Sequence, residues 1–299
     1  MPETGTKWLP KMSMLRVEEY LRLVRIAVEL GVRKIRITGG EPLLHPRLHE
    51  LIRSMRAIPG IRDLAMTTNG VALAENAASL KAAGLDRVNV SLDSIERSGF
   101  TAITRRDRLP AVFRGLDAAA RVGLRPVKIN TVVIRNYNEA AVLDLAKLAR
   151  TRPYQVRFIE YMPLDAQRRW ELNKVVSASE IRARISAHWP LERIDGEDDR
   201  APAQLYRFRD GAGTFGIIAS VTEPFCTSCD RIRISADGKI RSCLFALEET
   251  DLRHLLRSGA ADAEIEKLLR RAVWHKWEGH AIQTRRFVQP EGGMSYFGG

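Results

Sequence analysis

The chain has 299 residues, with 48 Lys plus Arg against 36 Asp plus Glu for a formal net charge of +12; 45% of residues are hydrophobic and 28% charged. This composition excludes global disorder, and no apolar run approaches the roughly 20 residues of a membrane helix. Met1-Pro2-Glu3-Thr4-Gly5 lacks the basic and apolar regions of a secretory signal. Three cysteines, Cys226, Cys229 and Cys243, are too few and too odd in number for a disulfide scaffold, so the expectation is a cytoplasmic chain whose thiols are ligands or free. The positive charge favours anionic partners, yet it is scattered, with no long basic run.

In chain order, Val17, Tyr20, Leu21, Val24 and Val28 form one helical stripe within residues 17–30, stopped by Gly31. Strands are predicted over 34–38, 64–68, 87–92, 127–134 and 155–160, and helices over 48–55, 75–83, 110–122 and 139–150. Strands alternating with helices of this length predict βαβ units and a parallel sheet. The order starts on a helix where a βα barrel starts on a strand, so one sheet edge is expected to lack its partner. After about residue 200 the pattern changes. Residues 205–209, 215–221, 231–235 and 239–242 read as antiparallel strands, with Ala236-Asp237-Gly238 as a hairpin turn, and helices are expected over 251–257 and 262–277. The expected division is therefore 1–200 and 201–299.

Polar residues gather at the carboxyl ends of the predicted parallel strands: Thr38-Gly39-Gly40-Glu41-Pro42, Thr67-Thr68-Asn69-Gly70, Ser91-Leu92-Asp93, Lys128 with Asn130, and Glu160-Tyr161-Met162-Pro163. In parallel α/β sheets that face builds the ligand site. Gly39-Gly40 would let backbone approach a ligand, and Glu41 could accept from an ammonium group. Any one of these segments is also an ordinary strand-to-helix turn; together they point to a ligand face. Cys226-x2-Cys229-x13-Cys243 suits an iron–sulfur cluster with one open iron, zinc with a fourth ligand from elsewhere, or buried thiols. None of the six histidines has ligand-like spacing to the cysteines, which ranks the cluster above zinc. Arg231 and Arg233 fall on one face of a strand and suit phosphate or carboxylate.

Several segments carry a family resemblance: Lys34–Pro42 (KIRITGGEP), Thr67-Thr68-Asn69-Gly70, Val88–Asp93 (VNVSLD), Ile103–Asp107 (ITRRD), Phe158–Pro163 (FIEYMP), Cys226–Arg233 (CTSCDRIR), Ala236–Lys239 (ADGK), Cys243-Leu244-Phe245 and the terminal Gly298-Gly299. Together they resemble the radical S-adenosylmethionine (SAM) GTP 3′,8-cyclase of molybdenum cofactor biosynthesis over essentially the whole chain. The resemblance implies an α/β fold: an incomplete (βα) TIM-type barrel, here lacking its first strand, closed by a C-terminal segment that carries a [4Fe-4S] cluster on Cys226, Cys229 and Cys243. It implies SAM at Gly40, Glu41, Ser91 and Met162. It implies GTP at Arg36, Thr67, Lys128 and the stretch Arg231, Ile232, Arg233, with Gly298 and Gly299 reaching into the site. The implied product is (8S)-3′,8-cyclo-7,8-dihydroguanosine 5′-triphosphate, passed to a cyclic pyranopterin monophosphate synthase. A homodimer is the candidate assembly, with no membrane and no nucleic acid as partner.

One departure is large. The family binds a second, SAM-cleaving [4Fe-4S] cluster on a CxxxCxxC motif followed by Met-Pro, and this sequence opens on Met1-Pro2 with no such cysteines. The expectation is therefore a misassigned start or a truncation, with that cluster present only if the segment is, and with no reductive SAM cleavage by the sequence as written. The rival readings are a GTP-binding remnant without catalysis, another radical SAM protein with an auxiliary cluster, and a basic zinc-bearing nucleic-acid-binding protein.

Overall fold

The computed structural model describes residues 9–297 except 166, 197, 199, 277, 278 and 292. In chain order its elements are α1 (Val17–Glu29), β1 (Lys34–Ile37), α2 (Leu48–Arg56), β2 (Asp63–Thr68), α3 (Leu73–Ala82), β3 (Arg87–Ser91), α4 (Arg97–Thr104), α5 (Leu109–Arg121), β4 (Val127–Val133), α6 (Val142–Thr151) and β5 (Tyr154–Glu160). There follow α7 (Ala178–Ser186), β6 (Leu191–Ile194), β7 (Gln204–Phe208), β8 (Thr214–Ile218), β9 (Arg233–Ile234), β10 (Lys239–Arg241), β11 (Thr250–Asp251), α8 (Arg253–Arg257), α9 (Asp262–Trp274) and α10 (Met294–Phe297).

One eight-stranded sheet runs in the order β1-β2-β3-β4-β5-β8-β7-β6. Strands β1 to β5 are parallel, as the alternation with helices predicts, because each helix returns the chain to the same end of the sheet. Among the described residues β1 pairs only with β2. One expectation is corrected here. The segment containing β8 was expected to be purely antiparallel, but β8 is parallel to β5, with Val156 opposite Phe215, and antiparallel only to β7. Helix α7, absent from the sequence reading, provides the crossover. Its start is fixed by a capping box in which Ser177 Oγ accepts from Glu180 N and Glu180 accepts from Ser177 N. The main sheet therefore takes strands from both sides of residue 200.

Alternate strand residues point to opposite faces. The helix-facing set, including Leu64, Met66, Val88, Val90, Ile129, Val156 and Phe158, is fully buried in the main apolar core. Burying side chains of this size stabilises the fold by about 1.5–3 kcal/mol each. A second core joins the C-terminal segment to α1. Leu23 and Ile26 of α1 pack with Ile240, Leu252, Ile265 and Leu269, and Arg257 bridges to buried Glu19 at 3.0 Å. The small antiparallel sheet β11-β10-β9 is held beside α1 in this way, which brings the cysteine segment to the polar face of the main sheet.

Candidate functional site

The polar face follows from register. Ala65 lies opposite both Arg36 and Arg87, Thr67 opposite Asn89, Asn89 opposite Lys128, and Lys128 opposite Gln155. The face away from the core helices therefore carries a row of charged and amide side chains. It forms one wall of a cavity of about 1760 Å³. Arg36, Arg87, Lys128 and Arg157 line it from the sheet, and Arg231 and Arg233 from the C-terminal segment.

These cations are close enough to lower one another's pKa values. Arg87 forks onto Asp63 at 2.9 and 2.5 Å, and Arg157 Nε donates to Gln155 Oε1 at 3.3 Å. Burial, then Arg157, Arg87 and Arg36, pulls the Lys128 ammonium down to about 7. Burial, then Arg36 and Arg87, pulls Arg157 down to about 10. Arg36 is reached by solvent through the cavity, yet surrounding protein and the charges of Arg87, Arg233 and Arg231 also lower it. Arg233 is lowered by burial and then by Arg231. A multivalent anion in this cavity would relieve the mutual repulsion of several cations at once, which is the electrostatic demand the site makes.

The cysteine segment adjoins the basic wall. Cys226 opens a 3-10 turn ending at Ser228, and Cys229 N–H donates back to Cys226 O at 3.1 Å. Arg231 Nη2 lies 3.2 Å and Lys276 Nζ 3.3 Å from Cys229 Sγ, and Lys276 also donates to Arg231 O at 2.7 Å. Burial raises the Cys229 thiol, but hydrogen bonding from Arg231 and the charges of Arg231 and Lys276 outweigh it, for a net lowering. Cys243 is raised, first by burial and then by the neighbouring Cys226 and Cys229. Among the described residues, no three His, Cys, Asp or Glu are grouped closely enough to hold a single ion. Three cysteines that sense one another's charge, with cations against one sulfur, suit an anionic thiolate-bound cluster.

At the strand ends, Gly40 lines the cavity, and Gly39 has φ +144° with open space where a Cβ would stand. Glu41 is engaged by its own chain: Oε1 accepts from Leu43 N at 3.1 Å and Thr68 Oγ1 at 2.7 Å, and Oε2 from Asn69 N at 2.7 Å. It braces the loop after β1 against the end of β2. Ser91 is exposed at the end of β3, whereas Met162 packs against Leu164, Val175, Val221, Phe245 and Ile282 beside Cys243. The structure thus brings Arg36, Gly40, Lys128, Arg231, Ile232 and Arg233 to one cavity. Thr67 is buried on the same face. Glu41, Ser91, Met162 and the three cysteines lie outside the cavity lining, and Gly298 and Gly299 lie outside the described residues. Arg87, Gln155, Arg157, Lys276 and Tyr296 are the residues the sequence reading missed. The period of two puts Arg87 on one side of β3 with Ser91 and Gln155 on one side of β5 with Arg157, but only the register between strands shows that these sides are the same face.

Residues 3–149 match the Radical SAM superfamily model, and residues 154–282 match the model described as Molybdenum Cofactor Synthesis C. The protein named GTP 3′,8-cyclase 2 of Mycobacterium tuberculosis (strain H37Rv) is 49% identical over 304 residues, spanning 100% of this chain and 84% of that protein. The chain belongs to the GTP 3′,8-cyclase family. The GTP 3′,8-cyclase of Mycolicibacterium smegmatis is a further family member at 47% identity, with the same 100% and 84% coverage. Among solved structures, Streptococcus suis SuiB superposes with a TM-score of 0.57 over 95% of this chain and 70% of that one, at 14% identity, a likeness of fold alone.

Proposed function

We propose that this GTP 3′,8-cyclase family member holds the triphosphate of GTP in the basic cavity, for cyclisation to (8S)-3′,8-cyclo-7,8-dihydroguanosine 5′-triphosphate in molybdenum cofactor biosynthesis. The observation that carries this reading is the convergence of Arg36, Arg87, Lys128, Arg157, Arg231 and Arg233 on one cavity. Guanidinium groups suit phosphate through paired N–H donors, and each such charged contact contributes about 1.5–3 kcal/mol. In this reading the main sheet is an incomplete barrel closed by the C-terminal segment. Arg36, Thr67, Lys128 and Arg231–Arg233 orient the nucleotide. Gly39 and Gly40 leave room for the SAM backbone, and the Glu41 brace holds that loop in place.

Cys226, Cys229 and Cys243 would hold a [4Fe-4S] cluster, which when bound supplies an iron with an open position for the purine. Arg231 and Lys276 would stabilise the thiolate of Cys229, and Arg233 would draw the phosphates to the same end of the cavity. All three cysteines of the sequence are assigned in this way, so no cysteine here fits the SAM-cleaving cluster of the family, and no step through that cluster follows from these residues. Thiolate ligation suits a reducing compartment, which supports a cytoplasmic protein.

Calorimetric titration with GTP tests the reading. The chain is expected to bind GTP, and Arg36→Ala and Arg233→Ala are each expected to weaken binding by about tenfold or more. Absence of GTP binding, or unchanged affinity in both variants, would overturn it.

A further inference from the structure

Helix α9 is tied into the second core by Ile265 and Leu269, and the chain leaving it runs back over the cysteine segment. Lys276 follows the helix, its backbone N–H donating to Val273 O at 3.1 Å. From there its ammonium donates to two acceptors at once, Cys229 Sγ at 3.3 Å and Arg231 O at 2.7 Å. Three residues on, Gly279 passes so close to Cys226 that a Cβ there would stand 3.9 Å from Cys226 Sγ. Arg231 is the other cation on Cys229 Sγ, at 3.2 Å, but its guanidinium is shared: it lies 5.0 Å from the Phe225 ring centroid and lines the cavity. Lys276 is half-buried and does not line the cavity. A phosphate bound in the cavity would compete with Cys229 for Arg231 and leave Lys276 where it is. The lysine charge is therefore committed to the cysteine segment.

We propose that Lys276 is a positioning residue that sets the reduction potential of the cluster held by Cys226, Cys229 and Cys243. The inference rests on the reading of those cysteines as cluster ligands, and not on the reading of the cavity as the GTP site. An ammonium brings a full positive charge and three donors, and hydrogen bonds to the sulfurs and nearby charge are what tune such a cluster. One-electron reduction adds one negative charge and no proton. A cation against Cys229 Sγ therefore stabilises the reduced form more than the oxidised one and raises the potential. The bond to Arg231 O holds the ammonium against the sulfur, so the charge is in place before the electron arrives.

The test is a potentiometric titration of the anaerobically reconstituted full chain, poised with redox mediators and without nucleotide, for wild type, Lys276→Met, Lys276→Gln and Lys276→Arg. Lys276→Met removes both the charge and the donors. It is expected to disfavour reduction by about tenfold, a midpoint about 59 mV more negative for one electron. Lys276→Gln keeps a neutral donor and should shift the same way by less. Lys276→Arg keeps the charge and should stay within about threefold of wild type. Midpoints of the Met and Gln variants equal to or above that of wild type overturn the role of Lys276 while the cluster reading stands. If Lys276→Met does not retain about 4 Fe per chain, Lys276→Gln is read in its place. Loss of iron from both makes the lysine a structural clamp and overturns its role in the potential. A wild-type chain that forms no cluster overturns the cluster reading itself, and this role with it.

Discussion

Glu160 ends β5 with its side chain fully buried, and its two oxygens accept four hydrogen bonds from two segments. Oε1 accepts from Ala178 N at 2.8 Å, at the start of α7, and from the Thr222 hydroxyl. Oε2 accepts from Val221 N at 2.7 Å and Thr222 N at 2.8 Å. The carboxylate thus ties the crossover helix to the chain that leads from β8 into Cys226. Glu160→Gln is isosteric and opens no cavity, so its cost is polar. The better amide orientation lets the Thr222 hydroxyl turn round and accept, and strands only Ala178 N–H. One stranded buried donor costs about 1–3 kcal/mol, and weakening two charge-assisted bonds adds about 1 kcal/mol. We expect a loss of about 3 kcal/mol in urea unfolding at neutral pH, read from the midpoint at constant slope. Because Thr222 lies four residues before Cys226, iron retention after reconstitution should fall in the same variant. A Glu160→Gln chain within about 0.5 kcal/mol of wild type, the scatter of an inconsequential surface change, would refute the reasoning.

Two predictions concern pH. Lys128 titrates near 7 in the ligand-free cavity, and a bound anion raises that value, so binding above pH 7 must take up a proton. GTP affinity should fall by up to about tenfold per pH unit above 7, and Lys128→Met should flatten that slope while weakening binding at pH 6.5; an unchanged slope would exclude Lys128 from the site. Burial pushes Asp93 up to about 6, partly offset by the bond from Val132 N. A carboxyl raised in the folded state contributes stability below pH 4 that is lost as pH rises through 6. Asp93→Asn, which keeps an acceptor for Val132 N, should therefore stabilise the chain by up to about 3 kcal/mol at pH 7 and remove the decline between pH 4 and 6. Equal denaturation midpoints for the two chains at pH 7 would contradict this.

The parallel half of the fold was legible because long amphipathic helices such as α1 and α5 alternate with short apolar strands, and glycines such as Gly31, Gly84 and Gly123 mark the stops. What escaped had weaker local signals. Helix α4 contains Gly99 and only Phe100 is buried on it, so it lacks an apolar stripe. Helix α7 carried a readable mark, the Ser177-x-x-Glu180 capping box, that went unused. The parallel pairing of β8 with β5 depends on which sheet edge is free after α7, a tertiary fact that no local pattern encodes. In the site, Lys128 was marked by its strand and Arg231 and Arg233 by their spacing of two, whereas Arg36 was found through resemblance. Arg87 and Arg157 sit inside strands whose apolar residues dominate the reading, so their shared face emerges only once register is known.

The central claim is that a thiolate-held iron–sulfur cluster stands next to a cavity that takes GTP. Electron paramagnetic resonance of the anaerobically reconstituted, reduced chain, recorded with and without GTP, tests it most directly. The account predicts the signal of one [4Fe-4S] cluster, about 4 Fe per chain, with a spectrum that GTP changes. It is contradicted if no cluster signal forms, or if the spectrum is the same with and without GTP.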